Sequence, residues 1–227
     1  MLESAANNRP DWISEADHGT DTVDALLAEL GISREPLSKA IRAGVTERRR
    51  ATSFEPTTSP GLRDWIGRVG ALRDDLHATG WQPIDPANAP MARRPDGKVL
   101  LGVMQGDEGT GNLHSPLSST YPKGVTIAKL TISNNSVNQP LPGLDELLGT
   151  AEVDAMKVWF LVTRFKNGEA NGSGTVHAEL SQPAPTSSGT NITEWAKRCC
   201  FSPFEFEPAI EPEPTEPLGV DVPVNWR

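Results

Sequence analysis

An α+β fold is the class this sequence predicts: N-terminal helices, a small antiparallel sheet with a packed helix, and a Pro-rich acidic C-terminal strap. Three observations lead there. Apolar residues recur at helical spacing before residue 80. Strand-like runs begin only after Gly97, and residues 201–227 hold six prolines and six acids. Segregated helices and strands distinguish α+β from the alternating α/β pattern. Four segments follow: an arm over 1–19, a helical hairpin over 20–50, an α+β domain over 51–200 and a tail over 201–227.

Each element has its own reason. In the arm, polar residues with Pro10 and Gly19 predict a loose segment. Thr20 or Asp21 can cap a first helix, and Val23, Leu26, Leu27 and Leu30 then fall on one stripe before Gly31. Ser33 can cap a second helix with Pro36 in its tolerant first turn. Its buried face is Leu37, Ala40 and Ile41, and Gly44 is expected to stop it. Ser59-Pro60 starts a third helix, the best supported of all, carried by Leu62, Trp65, Ile66, Val69, Leu72 and Leu76. Gly67 and Gly70 weaken that helix, and Gly70 is expected to admit a close neighbour. Residues 82–97, with four prolines, read as a connector.

After Gly97 the pattern changes. The run 98–105 predicts a strand and 106–124 a long loop; 125–132 suits either a strand or a short helix, and Leu144, Leu147 and Leu148 suggest a helical turn or two. The clearest strand is 156–165, rich in β-branched and aromatic residues. With 174–181 it predicts an antiparallel hairpin that buries Val176, Ala178 and Leu180 and wets His177, Glu179 and Ser181. Ile192, Trp195 and Cys199 predict a capped helix over 190–200.

Composition excludes several classes. The chain has 227 residues, a net charge of −9 and no run near the ~18 apolar residues that span a bilayer, so no membrane role is expected. MLESAANNRPDW lacks a basic end before an apolar run, which predicts no secretory segment. The two cysteines, Cys199 and Cys200, are adjacent and close no useful loop, which suits a reducing cytoplasm. No metal and no cofactor are expected. The charge is uneven: Gly31–Arg73 holds nine basic and four acidic residues, whereas the tail holds six acids and one Arg.

Within the basic segment, Leu30, Gly31, Ile32 and Ser33 supply a hydrophobic residue, a turn glycine, a second hydrophobic residue and a cap, and Leu37 follows six residues after the glycine. Over 23–43 this resembles a helix-turn-helix of the DNA-binding kind. Leu27 departs from it, standing where the motif packs a small residue. The resemblance implies that Arg34, Glu35, Ser38, Lys39 and Arg42 face outward to bases and phosphates, with Arg48, Arg49 and Arg50 as further phosphate contacts. The plain alternative is a helical hairpin with a solvated basic face.

A second candidate is the loop 106–114, where Asp107, Glu108 and His114 stand among glycines. Such a set suits a ligand site or acid–base chemistry; the plain alternative is a turn-rich surface loop. Neither phosphate-loop glycine pattern is present. The third is the tail, whose charge is opposite to that of the basic segment. The expectation is a non-catalytic protein that contacts DNA, or a partner that handles it, through the basic half. Alternatives are a protein-interaction module using the sheet and strap, and an enzyme centred on the Asp107–His114 loop.

Overall fold

A computed structural model describes residues 20–132, 134, 156–168, 173–185 and 191–207. Helices α1 (Thr20–Leu30), α2 (Arg34–Arg49) and α3 (Ser59–His77) come first. Strands β1 (Gln82–Ile84), β2 (Met91–Arg93) and β3 (Val99–Gln105) follow, then α4 (Val125–Ile132), β4 (Lys157–Asn167), β5 (Gly174–Pro183), β6 (Trp195–Cys200) and β7 (Phe204–Phe206). The strands make one seven-stranded sheet ordered β1-β2-β3-β4-β5-β6, with β7 also paired to β5. The α+β class therefore holds. No helix among the described residues is long and apolar enough to cross a membrane.

Strand periodicity splits the core in two. Val99, Leu101, Trp159, Leu161, Val176, Ala178 and Leu180 turn to the face covered by α1, α2 and α3, where they meet Leu27, Leu30, Leu37, Ile41, Leu72 and Leu76. Leu100, Met104, Val158, Phe160 and Val162 turn to the other face and meet Leu117, Leu130, Ile192 and Trp195. The first two helices thus share one apolar core with the sheet.

Several expectations are corrected. The sheet is not wholly antiparallel: β3 and β4 pair in parallel, since a long crossover rather than a hairpin joins them. Residues 82–97 are not a plain connector. They supply β1 and β2, in which Pro83 is tolerated because β1 is the sheet edge. Residues 125–132 are helical. The expected helix over 190–200 is instead β6, paired with β5 through Glu179↔Cys200 to Pro183↔Trp195. A register shift beside Gln182/Pro183 explains the error. With that shift Trp195 packs on one face and Cys199 on the other, so their spacing does not mark a single buried helical face. The predicted hairpin of β4 and β5 is present, but its far face is not wet: Glu179 and Ser181 are both fully buried. The start of the tail adds β7 to β5 at Gly174–Val176, while 208–227 and the turn expected near Leu144 lie outside the described residues.

Two glycine expectations also change. α2 does not stop at Gly44 but runs on to Arg49. Gly44 is buried against α3, where an added Cβ would lie 2.5 Å from Arg68 Cγ and overlap the Asp64 carboxylate. The close neighbour expected at Gly70 is found at Gly67, where a Cβ would lie 2.9 Å from Glu47 Cγ and 3.0 Å from the Ala43 carbonyl. Gly70 faces open space. Into the contact at Gly44 fits a buried ion pair, Arg68 with Asp64, one turn apart on α3.

Opposite outcomes are therefore expected at two glycines of this helix pair. Gly44→Ala should destabilise by about 1–3 kcal/mol through overpacking against a buried ion pair. Gly70→Ala should stabilise by up to ~1 kcal/mol through helix propensity alone. Urea unfolding of both variants checks this, and equal effects would contradict the packing described.

Candidate functional site

The basic residues nominated on α2 are brought near one another, yet most have intramolecular partners. Arg34 pairs with Asp24 at 2.6 Å. With Ser38 it lines a hollow of about 250 Å³ whose far wall is Phe201, Ser202, Pro203 and Phe204. Those two side chains thus look onto the protein's own chain. Lys39 donates to Asp75 at 3.0 Å and lies 3.8 Å from Glu35, and the Asp75 bond raises its pKa. Arg48 is half-buried over the Phe165 ring, 4.4 Å from its centroid, and burial lowers its pKa. Arg49 donates to the Glu207 carbonyl at 2.5 Å and stacks near Phe206, and Arg50 pairs with Glu47. Arg42 is exposed. Glu35, Lys39, Arg42, Thr46 and Arg49 make up an exposed stripe of α2, with Arg50 just past its end, while Pro36, Leu37, Ala40, Ile41, Gly44 and Val45 are buried.

The loop after β3 is built differently from its sequence expectation. Asp107 turns back to accept the Gly109 amide at 3.0 Å. Glu108 pairs with Arg164, and Lys166 lies 4.0 Å from it. His114 is exposed. The three nominated residues thus serve separate partners. Among the described residues no three His, Cys, Asp or Glu side chains gather as a metal-holding set.

What organises this loop is a buried pair that sequence reasoning missed. Glu179 on β5 is wholly buried, and its carboxylate accepts from Arg198 Nε and Nη2 at 2.9 and 2.7 Å, from Ser181 Oγ at 2.5 Å and from the Gly111 amide at 2.9 Å. Arg198 spends its remaining donors on the carbonyls of Gly109, Asn112 and Ser115. Trp195 Nε1 adds a bond to the Leu117 carbonyl at 2.9 Å. Loop 106–119 is therefore a structural wrap over the sheet. Gly111, at φ +74°, packs on His177. Neighbouring Cys200 has its thiol pushed up by burial beside Glu179, and burial pushes Cys199 up to about 11, so both stay protonated and unreactive.

A hollow larger than the one beside Arg34 is one the sequence did not indicate. Val99, Val103 and Gln105 turn their carbonyls to the same edge of β3. Val99 accepts from the Arg94 amide and Gln105 from the Thr120 amide. β2 pairs with β3 only from Met91↔Gly102 to Arg93↔Leu100. One step further would set Pro90 opposite Val103, and proline has no N–H to give. The Val103 carbonyl accepts instead from Trp65 Nε1 of α3 at 3.4 Å. Between Pro90 and Tyr121 the edge of β3 stands open, and a cleft of about 560 Å³ lies along it.

Trp65, Met91, Met104, Phe160 and Ile127 line the cleft, with Leu62 and Tyr121 exposed at its mouth. Among the described residues its lining contains no Asp, Glu, His or Cys, and one charged side chain, Lys123, just before α4. Burial lowers the Lys123 pKa. The faint signal in the sequence was Leu62, which continues the apolar stripe of α3 where that helix overhangs the sheet edge. No protein-family model, curated protein or solved structure matches this chain.

The wrap yields a prediction of its own. Arg198→Met should cost about 3–5 kcal/mol, because Glu179 is left charged and buried. The double variant Glu179→Gln with Arg198→Met should recover part of that cost. Limited proteolysis should locate the new cleavage within 106–119; cleavage elsewhere would contradict this role.

Proposed function

We propose that this chain is a binding protein whose ligand seat is the cleft at the open edge of β3. The observation that carries the reading is the cleft itself: about 560 Å³, apolar on most of its wall, with a few polar groups beside it. That volume lies in the range of small-molecule sites, ~300–1,000 Å³. Among the described residues the wall holds no carboxylate, imidazole or thiol, and what it does offer is mainly apolar contact, which suits holding a ligand. Exposed Leu62 and Tyr121, 56% and 59% accessible, are large apolar surfaces left in water at the entrance, and covering them favours association.

Gly61 offers a clean test. It lines the cleft, and a Cβ there would meet only Gln105 Nε2, at 3.7 Å. Gly61→Leu should therefore fill the cleft without strain. A neutral fluorescent probe such as N-phenyl-1-naphthylamine should brighten with the wild-type protein and bind at least about tenfold more weakly to the variant, a difference of ~1.4 kcal/mol. Equal binding would overturn the reading.

A second reading keeps nucleic acid as the partner. What favours it is the exposed stripe of Lys39, Arg42 and Arg49 along one side of α2, with Arg50 just past its end. Against it stand the partners these cations already hold and the net charge of −9. On this reading a duplex shifts at low salt, the shift weakens steeply with salt, and Arg42→Glu removes it. No shift at low salt dismisses it.

A further inference from the structure

Lys123 is the point at which the chemistry of the cleft becomes specific. It stands in the wall between Tyr121 and the start of α4, partly withdrawn from water. Among the described residues it has no hydrogen-bond or ion-pair partner. Burial lowers its pKa. A cation half-removed from water without a counter-ion is costly, and a paired anion removes much of that cost. The rest of the wall offers a ligand mainly apolar contact, with neutral polar groups on Thr58, Asn88, Gln105 and Thr126.

Resting on the cleft reading above, we infer that the ligand is a small apolar monocarboxylate. Its carboxylate sits on the Lys123 ammonium and its hydrocarbon part on Trp65, Met91, Met104 and Phe160. A neutral analogue gains the apolar contact but leaves the ammonium unpaired. A cationic analogue meets a like charge. The overall charge of −9 repels anions, so any preference for a carboxylate has to arise at this side chain.

The experiment is calorimetric titration of the full chain with decanoate, decanol and decyltrimethylammonium below their micelle concentrations. Decanoate is expected to bind at least about tenfold more tightly than decanol, and the ammonium compound more weakly than either. Lys123→Met keeps a stem of similar length without charge, and should bring decanoate and decanol to within about twofold. In the wild type, decanoate affinity should fall as pH rises from 7 to 10, because the ammonium loses its proton, while decanol affinity stays constant. Equal affinity for acid and alcohol, or a preference that survives Lys123→Met, overturns the inference and leaves the cleft reading in place. If neither decanoate nor decanol binds, both fall together.

Discussion

Pro90 has no amide hydrogen, and by register it falls where the β2 ladder would have reached Val103. The strand pairing ends there, and the Val103 carbonyl turns to the indole of Trp65 for its bond. Much else follows from that interruption. It leaves β3 without a strand partner at Val103, between Pro90 and the Thr120 amide on Gln105, and there Pro90, Tyr121 and the first turn of α4 frame a hollow rather than a continuous sheet. An open sheet edge is ordinarily a hazard for association with other chains. Here the Trp65 indole of α3 occupies the Val103 carbonyl that an added strand would need.

Among the described residues two buried ion pairs, one on each side of the sheet, fix the elements packed on it. Asp64 and Arg68 sit at the contact of α2 with α3, where Gly44 supplies the room. Arg68 Nη1 has no hydrogen-bond partner there, so this pair is incompletely satisfied. Glu179 and Arg198 are far better served, by Ser181, Gly111 and three loop carbonyls. Breaking either pair from one side leaves a charge in the interior, which costs more than the intact pair contributes. Both act as positioning devices: the first sets how α3 lies over the sheet, and the second holds loop 106–119 against it.

Much of the fold was legible in sequence because period and punctuation agreed. The helix begun by Ser59-Pro60 and the strand around Trp159 and Leu161 both formed, but of the helical stripe Leu72 and Leu76 are buried while Leu62 and Ile66 are exposed, with Asp64 and Arg68 buried instead. Where a local irregularity altered the period, the reading failed. With the register shift beside Pro183, Trp195 and Cys199 pack on opposite faces, so their spacing marked no single helical face. Gly44 looked like a stop because its partner, an arginine twenty-four residues away on another helix, leaves no trace in a linear pattern. The cleft was less legible still. Its wall draws on α3, the segment 87–91, β3, β4 and the start of α4, and only tertiary structure brings Trp65 beside Met104 and Lys123. The basic residues of α2 were visible at once, but their acidic partners Asp24, Asp75 and Glu47 become evident only after folding.

With the ligand seat proposed at the edge of β3 beneath Trp65, the ¹H–¹⁵N resonance of the Trp65 indole is the signal to follow while decanoate is added. It is expected to move and saturate, while those of Trp81 and Trp159, buried in the opposite core, hold still. A Trp65 signal that stays fixed while ligand binds elsewhere, or indole signals that all drift together, would contradict that seat.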